Sequence, residues 1–405
     1  MFDSPMPASG ETVNDQSNKT PHAARTLTPP RVQYCTQCVY PGVAATPLTF
    51  DEKGVCTGCR VHEEQKNVDW ERREKMFRAL VDETRAASGR NYDCVIPVSG
   101  GKDSFYQVHL IKRVYGMRPL LVTYNENNET EVGQRNIQLM KDVFDVDYIN
   151  FTPSVDVLKK MNKVGLTKMG DPDMHAHIGI NTVPIQVAIR YGIPLIVWGE
   201  HGFMNLGGMH SYRDMVEYTA RMRKEHLCHG YDWDDFVGEE GLEENDLLWA
   251  MYPDDADIER LGVRGIFISN YFGWQQNVHS EQMQNDYAFE INPKPFDRTY
   301  KRDSNLNNVH DNGVHDYMKY VKFGYGRATD HACRDIRNGD MTRDQGIEMI
   351  RQYDHVVPGD LARWLDYVGM SRTEFEAVTD RWRDPRVWVQ NEYRHWIKDN
   401  IWEHN

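Results

Sequence analysis

The sequence predicts a doubly wound, parallel α/β sheet with a small cysteine-rich module before it and a mainly helical extension after it. Three observations predict this fold class. Short apolar runs alternate with helical periodicity between residues 91 and 300, two cysteine pairs precede these runs, and helix-start patterns follow them. A chain of 405 residues is long enough for one large core with appendages.

The strands of the sheet are predicted from apolar or extended runs bounded by turn residues, at residues 92–98, 119–124, 147–152, 193–198 and 265–270. Helices are predicted over residues 102–115 and 130–144, where apolar residues recur at helical spacing. Because strands and helices alternate, the connections are right-handed crossovers and the sheet is expected to be parallel.

The charge balance and the lack of long apolar stretches exclude several classes of protein. Asp and Glu total 61 against 47 Lys and Arg, a net charge of −14, which argues against a surface built to bind nucleic acid. No stretch approaches the ~20 apolar residues of a membrane-spanning helix, and the amino end lacks the basic-then-apolar pattern of a secretory signal. We therefore expect a cytoplasmic protein with no nucleic-acid partner and no membrane insertion.

The run Ser99-Gly100-Gly101-Lys102-Asp103-Ser104 follows one predicted strand and opens the next predicted helix. Its glycines allow backbone N–H groups to approach phosphate oxygens, and the amino end of the helix adds partial positive charge. Its serines can donate hydroxyl hydrogen bonds, its lysine supplies a cation, and its aspartate can hold Mg²⁺ or cap the helix. The run is neither a Walker loop nor a dinucleotide fingerprint.

Two later strand ends are expected to face the same crevice as this loop. Val122 and Tyr124 would flank an adenine ring, and Gly199 with Glu200 would lie opposite. The alternative, that these are ordinary residues at strand ends, stays open.

Two cysteine pairs, Cys35 with Cys38 and Cys56 with Cys59, form a C-x2-C-x17-C-x2-C pattern. In a large intracellular chain this spacing predicts four thiolates around one structural metal, with zinc favoured and an iron–sulfur cluster as the rival. Four protein ligands leave no open position, so a catalytic role for this metal is not expected. Four histidines draw attention as ligands of a second metal, but in a chain with 16 histidines they do not predict one: His175, His177, His201 and His210.

The predicted organisation has five segments. Patterns typical of capping boxes at Thr342 with Gln345 and at Ser371 with Glu374 mark helix starts in the last of them. The segments are a flexible tail at 1–30, a zinc-ribbon module at 31–62, a helical linker at 63–90, the sheet domain at 91–300 with an insertion at about 203–262, and the helical extension at 301–405.

The glycine loop resembles the PP-loop of the ATP pyrophosphatases. The resemblance implies a sheet of that superfamily's type, which is HUP-like. It also implies that the loop grips the β and γ phosphates of ATP as a leaving pyrophosphate. The substrate would then receive an adenylyl group, which a nucleophile displaces, and ATP with Mg²⁺ would be required.

Three further motifs, together with the loop and the cysteine pairs, resemble the N-acetyl sugar amidotransferases. The likeness runs from about Tyr34 to the carboxyl end and is closest to the branch associated with pseudaminic and legionaminic acid modification. The insertion and the run at 383–388 belong to it, whereas 170–175 departs from other branches, which have a cysteine-containing segment there. The motifs are Gly199-Glu200-His201-Gly202, Leu206-Gly207-Gly208-Met209 and Lys322-Phe323-Gly324-Tyr325-Gly326-Arg327-Ala328-Thr329-Asp330-His331.

This second resemblance implies conversion of an N-acetyl group into an acetamidino group. The sugar would belong to a surface polysaccharide, an LPS O-antigen or a flagellin, as a nonulosonic acid or a nucleotide-activated form. Lys322, Arg327 and His331 are candidates for handling pyrophosphate or an acidic sugar, beside Lys102 and Asp103 in the loop. The alternative for the first three is a solvated loop.

The source of ammonia is expected to lie outside this chain. None of Cys94, Cys228 and Cys333 lies in a GxCxG nucleophile elbow. The resemblance implies a partner pair similar to the glutaminase and cyclase of histidine synthesis, and free ammonium is the alternative. Two rival functions stay open: a PP-loop tRNA-modifying thiolase, which would need a basic surface, and a non-catalytic zinc-ribbon adaptor.

Overall fold

The computed structural model describes residues 28–304, 309–310 and 312–404. The predicted flexible tail at 1–30 lies outside these residues except for its last three positions. None of the helices in the described ranges is both long enough and apolar enough to span a bilayer.

The centre of the molecule is a five-stranded sheet in which every neighbouring pair is parallel. Its order is β3-β2-β1-β4-β5, so the chain moves outward from β1 on one side and then crosses to the other side. The switch point therefore lies between β1 and β4, where ligands of doubly wound sheets bind. The strands are β1 Cys94–Pro97, β2 Pro119–Tyr124, β3 Asp147–Phe151, β4 Leu195–Trp198 and β5 Arg264–Phe267.

The helices cover both faces of the sheet and form the carboxyl-terminal part of the chain. A π-helical turn, His109–Val114, continues α3 without a break. In chain order the α-helices are α1 Thr57–Glu64, α2 Trp70–Ser88, α3 Lys102–Val108, α4 Glu131–Phe144, α5 Val155–Val164, α6 Met174–Ile180, α7 Val183–Tyr191, α8 Gly202–Gly207, α9 Ala220–Met222, α10 Asp255–Leu261, α11 Gln276–Tyr287, α12 Asn312–Phe323, α13 Arg327–Asn338, α14 Arg343–Tyr353, α15 Leu361–Val368 and α16 Arg372–Asp380.

Successive side chains of β1 enter different halves of the core, as expected for a strand covered on both faces. Cys94 and Ile96 belong to the cluster on one face, and Val95 belongs to the cluster on the other. Helix α2 adds Phe77 and Leu80 to the first cluster, so this helix packs against the sheet rather than standing apart from it. The predicted fold class is confirmed: a doubly wound parallel sheet with a cysteine-rich module before it and a mainly helical region after it.

The carboxyl-terminal helices pack against the amino-terminal cysteine module. Tyr325, Ala332 and Cys333 share one buried cluster with the four paired cysteines. A short antiparallel hairpin, β6 Trp388–Gln390 and β7 Trp396–Lys398, follows the helices. The two ends of the described chain therefore form one structural layer beside the sheet.

The helix-start patterns in this region differ in detail. The Thr342 hydroxyl accepts from the Gln345 N–H, and the Gln345 side chain accepts from the Thr342 N–H, which completes a capping box. Ser371 accepts from the Glu374 N–H at 3.2 Å, a single cap bond. Both residues begin their helices where the sequence predicts.

Candidate active site

The loop from Ser99 to Ser104, which resembles a PP-loop and is given that name below, joins the end of β1 to the start of α3. Gly100 has φ +77°, and a Cβ on it would lie 2.8 Å from Cγ1 of Ile137 and 3.2 Å from the Gly133 carbonyl oxygen. Glycine is therefore required here for two separate reasons, the left-handed backbone and the close approach of α4. The loop lies at the switch point of the sheet, where the amino end of a helix faces the crevice.

Hydrogen bonds fix the loop from both sides. The Ser99 N–H donates to the Ser104 hydroxyl over 3.0 Å, which closes the turn on itself. The Lys102 ammonium donates to the Asp303 carbonyl at 2.8 Å and lies 3.5 Å from the Asp103 carboxylate. Asp103 also accepts from the Trp274 indole N–H at 3.2 Å. The predicted loop residues are thus held together, with the Asp103 carboxylate more than one-third exposed and suited to a Mg²⁺ ion.

A cleft of about 440 Å³ opens beside the loop, at the carboxyl ends of β1, β2 and β4. Its size suits a nucleotide. Residues predicted for the nucleotide site that line this cleft are Ser99, Asp103, Ser104, Val122, Tyr124 and Gly199.

Tyr124 lines this cleft, yet most of its side chain packs in the protein interior. Its ring stacks on Trp249 with centroids 5.2 Å apart and lies so close to Gly179 that a Cβ there would meet the ring at 2.3 Å. Its hydroxyl pairs with Nδ1 of His175 at 3.0 Å. Tyr124 therefore shapes the wall of the cleft and anchors α6.

A second cavity of about 490 Å³ adjoins the nucleotide cleft. Ile180, Trp198 and Gly199 line both spaces, so the two are separated by a single layer of residues. The walls of the second cavity come from the cysteine module, the ends of β4 and β5, the insertion and helix α12. A substrate placed there would lie next to a nucleotide in the cleft.

Lys322 and Arg327 both line the second cavity. The Lys322 ammonium donates to the Gly170 carbonyl at 3.0 Å, and burial lowers its pKa below the ordinary value. Arg327 makes a two-pronged ion pair with Asp316, at 2.8 and 2.7 Å. Although burial opposes it, the Asp316 charge raises the pKa of Arg327, so the guanidinium stays charged.

His331 lies apart from Lys322, in a smaller neighbouring space that Trp274, Lys301 and Arg334 also line. Its Nδ1 pairs with the Thr299 hydroxyl at 2.6 Å. Burial, followed by the positive charges of Arg327 and Lys102, lowers the pKa of His331 well below its ordinary value. The histidine is therefore neutral, and the three residues predicted to act as one cationic cluster are divided between two spaces.

Glu200 lines both the second cavity and this smaller space. Its carboxylate is held by Arg334 at 3.0 Å, by Asn205 at 2.8 Å and by Gln276 at 2.9 Å. Arg334 was not singled out from the sequence. It follows Arg327 and His331 at positions i+7 and i+3, on one face of α13, a spacing that would have indicated it.

The second cavity also contains acidic and imidazole groups that the sequence did not group together. The His315 and His177 imidazoles, against the effect of burial, hold the pKa of Asp171 well below its ordinary value. Burial lowers the pKa of His229 to about 4. At neutral pH the cavity wall therefore carries an ionised carboxylate and a neutral imidazole beside the Lys322 ammonium.

The four paired cysteines converge as predicted, and all four are buried. The Sγ atoms of Cys35 and Cys59 are 3.9 Å apart, and those of Cys38 and Cys56 are 3.7 Å apart. Thiolates around one tetrahedral zinc lie about 3.8 Å apart, because each Zn–S bond is about 2.3 Å long. The spacing fits a single tetrahedral ion held by the four sulfurs, whose atoms all lie within 4.8 Å of one another.

Arg337 connects this cysteine centre to helix α8. Its guanidinium donates to the sulfurs of Cys59 at 3.4 Å and Cys56 at 3.6 Å. The same group donates to the carbonyls of Asn205 and Leu206 at 2.8 and 2.9 Å. A positive charge at this position offsets the surplus negative charge of four thiolates around a divalent ion.

The glycines of the Leu206-Gly207-Gly208-Met209 motif have a packing role. A Cβ on Gly207 would lie 2.3 Å from Cγ2 of Thr46, and a Cβ on Gly208 would lie 2.4 Å from the Thr57 carbonyl oxygen. The motif therefore lets the cysteine module lie directly against the loop that borders the second cavity.

The sheet order and the glycine loop at the switch point define a doubly wound α/β protein. Residues 276–402 match the family model described as "LPS biosynthesis protein WbpG-like, C-terminal domain". These residues include Lys322, Arg327, His331 and Arg334. Among curated proteins, none matches the chain significantly.

Two solved structures are similar to parts of the chain. An NH3-dependent NAD synthetase from Campylobacter jejuni is 14% identical, with 48% of this chain and 92% of that chain covered and a TM-score of 0.28. An NMN synthetase from Francisella tularensis is 8% identical, with 56% and 99% covered and a TM-score of 0.28. These identities and scores are too low to bear on the activity.

Proposed function

We propose that the chain is an ATP-dependent amidotransferase that converts an N-acetyl group of a sugar into an acetamidino group and releases AMP and pyrophosphate. The sugar is a component of a surface polysaccharide or a flagellar glycan, of the nonulosonic-acid type. The similarity of residues 276–402 to an LPS biosynthesis domain supports a surface-polysaccharide substrate.

The observation that carries the proposal is the shared wall between the PP-loop cleft and the second cavity. Among the residues that the structure describes, Ile180, Trp198 and Gly199 line both spaces, so a sugar in one would lie a single layer of residues away from ATP in the other, and this layer would have to move aside for the amide oxygen to reach the α-phosphate. Holding two reactants side by side accounts for much of the rate that enzymes achieve in transfers between substrates. The amide itself is a weak electrophile and needs this activation.

The proposed reaction has two steps. The amide oxygen attacks the α-phosphorus, the bond to the β-phosphate oxygen breaks with its electron pair on pyrophosphate, and the amide nitrogen releases a proton. Ammonia then adds to the imidate carbon, and AMP leaves with the former amide oxygen. The N–H groups of the loop and Lys102 would bind the departing pyrophosphate, and for this the Lys102 ammonium would exchange its bond to the Asp303 carbonyl for one to a phosphate oxygen.

Two metals belong to the proposal. Mg²⁺ would be held by Asp103 and the phosphates and would neutralise charge on the leaving pyrophosphate. Zn²⁺ would be held by Cys35, Cys38, Cys56 and Cys59 in a structural role. With Arg337 between the sulfurs and helix α8, the cysteine centre would fix one wall of the substrate cavity.

Ammonia would be supplied by separate partner proteins of the glutaminase and cyclase type. All seven cysteines are buried, which suits metal ligation and packing better than a glutaminase nucleophile. The reaction would take place in the cytoplasm, where ATP and activated sugars are available.

Purified protein incubated with ATP, Mg²⁺, ammonium and candidate acetamido sugars tests the proposal. Mass spectrometry should find AMP together with a sugar in which an imino group replaces one oxygen. Asp103→Ala should give neither product, because it removes the carboxylate beside the loop while leaving the buried core intact. Release of ADP would contradict the proposal, and ATP binding without AMP release for every sugar would favour the non-catalytic adaptor.

A further inference from the structure

Asp171, His177 and His229 converge on the wall of the second cavity, far from the cysteine centre in the sequence and in a different kind of environment. We propose that these three side chains form a second metal site, which binds one divalent ion of the Zn²⁺ type. Three protein ligands leave a coordination position that faces the cavity. That the open position receives an oxygen of the sugar rests on the proposed function, whereas the site itself does not.

The geometry fits one ion. The candidate ligand atoms of the three residues all lie within 4.8 Å of one another. Nε2 of His177 and Oδ2 of Asp171 are 3.3 Å apart. Two ligands of a tetrahedral zinc with bonds of about 2.0–2.1 Å are separated by about 3.3–3.4 Å, so this pair already has the spacing that a shared ion imposes.

The Nε2 atom of His177 is free to act as a metal ligand. Its Nε2 is buried and makes no hydrogen bond with any group in the part of the chain that the structure describes. Its neighbour at 3.3 Å is the Asp171 carboxylate oxygen, which lies close but outside hydrogen-bond geometry. A buried imidazole nitrogen that makes no hydrogen bond is costly, and metal coordination is one way to satisfy it.

Asp171 is held in place from behind, as ligating carboxylates commonly are. Its Oδ1 accepts from Nδ1 of His315 at 2.8 Å and from the Asp173 N–H at 3.0 Å. Its Oδ2 is the atom that lies beside His177. One carboxylate oxygen is therefore used for positioning, and the other points toward the candidate ion.

His229 completes the group from the insertion. Its ring lies 5.7 Å from that of His177, centroid to centroid, and nearly perpendicular to it. Its backbone has φ +53°, a left-handed conformation that is unusual for a residue other than glycine. Such strain is often retained where it orients a functional side chain, and here it accompanies a ring that lies on the cavity wall.

The ligands offset one of the two positive charges of an added divalent ion, because one carboxylate carries a single charge and two imidazoles are neutral. The Asp171 carboxylate is negative, while the Lys322 ammonium is held by the Gly170 carbonyl at 3.0 Å. Lys322 and Arg327 line the same cavity, so an acidic sugar would be attracted by two cations as well as by the metal. Two imidazoles and one carboxylate with an open position are typical of zinc and iron(II) sites that bind a substrate or water.

Cobalt(II) titration of the zinc-loaded full chain, without ATP or sugar, tests the site independently of the proposed reaction. We expect one equivalent of cobalt to bind with the weak visible bands of nitrogen and oxygen ligands. His177→Ala and His229→Ala should reduce the affinity by about tenfold to a hundredfold or more. Asp171→Asn keeps the shape and the His315 contact and should reduce it similarly.

His226→Ala is the matched control, because His226 lies three residues from His229 outside the group and should leave binding unchanged. Circular dichroism of each variant would report whether it is folded. Cobalt absorption of equal strength in folded His177→Ala, or an intense thiolate charge-transfer band showing that cobalt occupies the cysteine site, would overturn the proposal.

Discussion

Gly100→Ala should distort the PP-loop and weaken the binding of ATP. The left-handed conformation at φ +77° costs a residue with a Cβ about 1–2 kcal/mol. The contact of 2.8 Å with Ile137 adds an overpacking cost of about 1–3 kcal/mol. The free loop can relieve the backbone cost and the clash by moving, but it must return to its original conformation to bind ATP. Binding then carries these costs, so we expect the affinity for ATP to fall about 30-fold or more.

Calorimetric titration with a non-hydrolysable ATP analogue measures this loss, and Gly262→Ala is the control. Gly262 has φ +69° but no atom within 4 Å of a built Cβ, so it carries the backbone cost without the clash. The control should lose about 1 kcal/mol of stability and no ATP affinity. In a chain that already carries Ile137→Ala, Gly100→Ala should cause a smaller loss of ATP affinity than it causes in the unmodified chain. Unchanged affinity in Gly100→Ala would refute the reasoning.

Four further predictions concern the site and the stability of the fold. Ser104→Ala should abolish AMP release while the chain stays folded, although the thermal unfolding midpoint falls slightly because the Ser99 N–H loses its acceptor; product analysis and a melting curve test this. Cys56→Ser should release metal and destabilise the protein, measured by elemental analysis and urea unfolding. Arg337→Met should cost about 3 kcal/mol in the same unfolding assay, since it leaves sulfurs and carbonyls without their donor. Burial lowers the pKa of His201 and His279 to about 4 from 6.5. Below about pH 6.5 the unfolded chain binds protons that the folded chain does not, so the free energy of unfolding should fall by up to about 1.4 kcal/mol per pH unit for each histidine. An unchanged slope of this free energy against pH in His279→Gln would contradict this.

The sheet could be predicted because its signals are local. The run at 119–124 is apolar and bounded by polar residues, and β2 Pro119–Tyr124 has those bounds. The predicted strand at 92–98 is shorter in the structure, Cys94–Pro97, although the N–H groups of Asp93 and Val98 still bond to the chain beside them. The helix expected over 102–115 contains a π-helical turn, which apolar spacing cannot reveal.

The PP-loop was predictable for the same reason, since strand, turn and helix are adjacent in the chain. The second cavity was not, because its walls come from segments as distant as Thr46 and Asp330. Asp171, His177 and His229 become neighbours only when the insertion packs beside α6, and no spacing in the sequence indicates that contact. The segment boundaries and the roles assigned to individual site residues remain predictions.

Transfer of the amide oxygen to AMP is the most direct test of the central claim. An acetamido sugar carrying heavy oxygen in its acetyl carbonyl would be incubated with the protein, ATP, Mg²⁺ and ammonium. Adenylation predicts that the heavy oxygen appears in the phosphate of AMP and that pyrophosphate is unlabelled. Heavy oxygen in inorganic phosphate, together with ADP, would show cleavage at the γ-phosphate and would contradict the account.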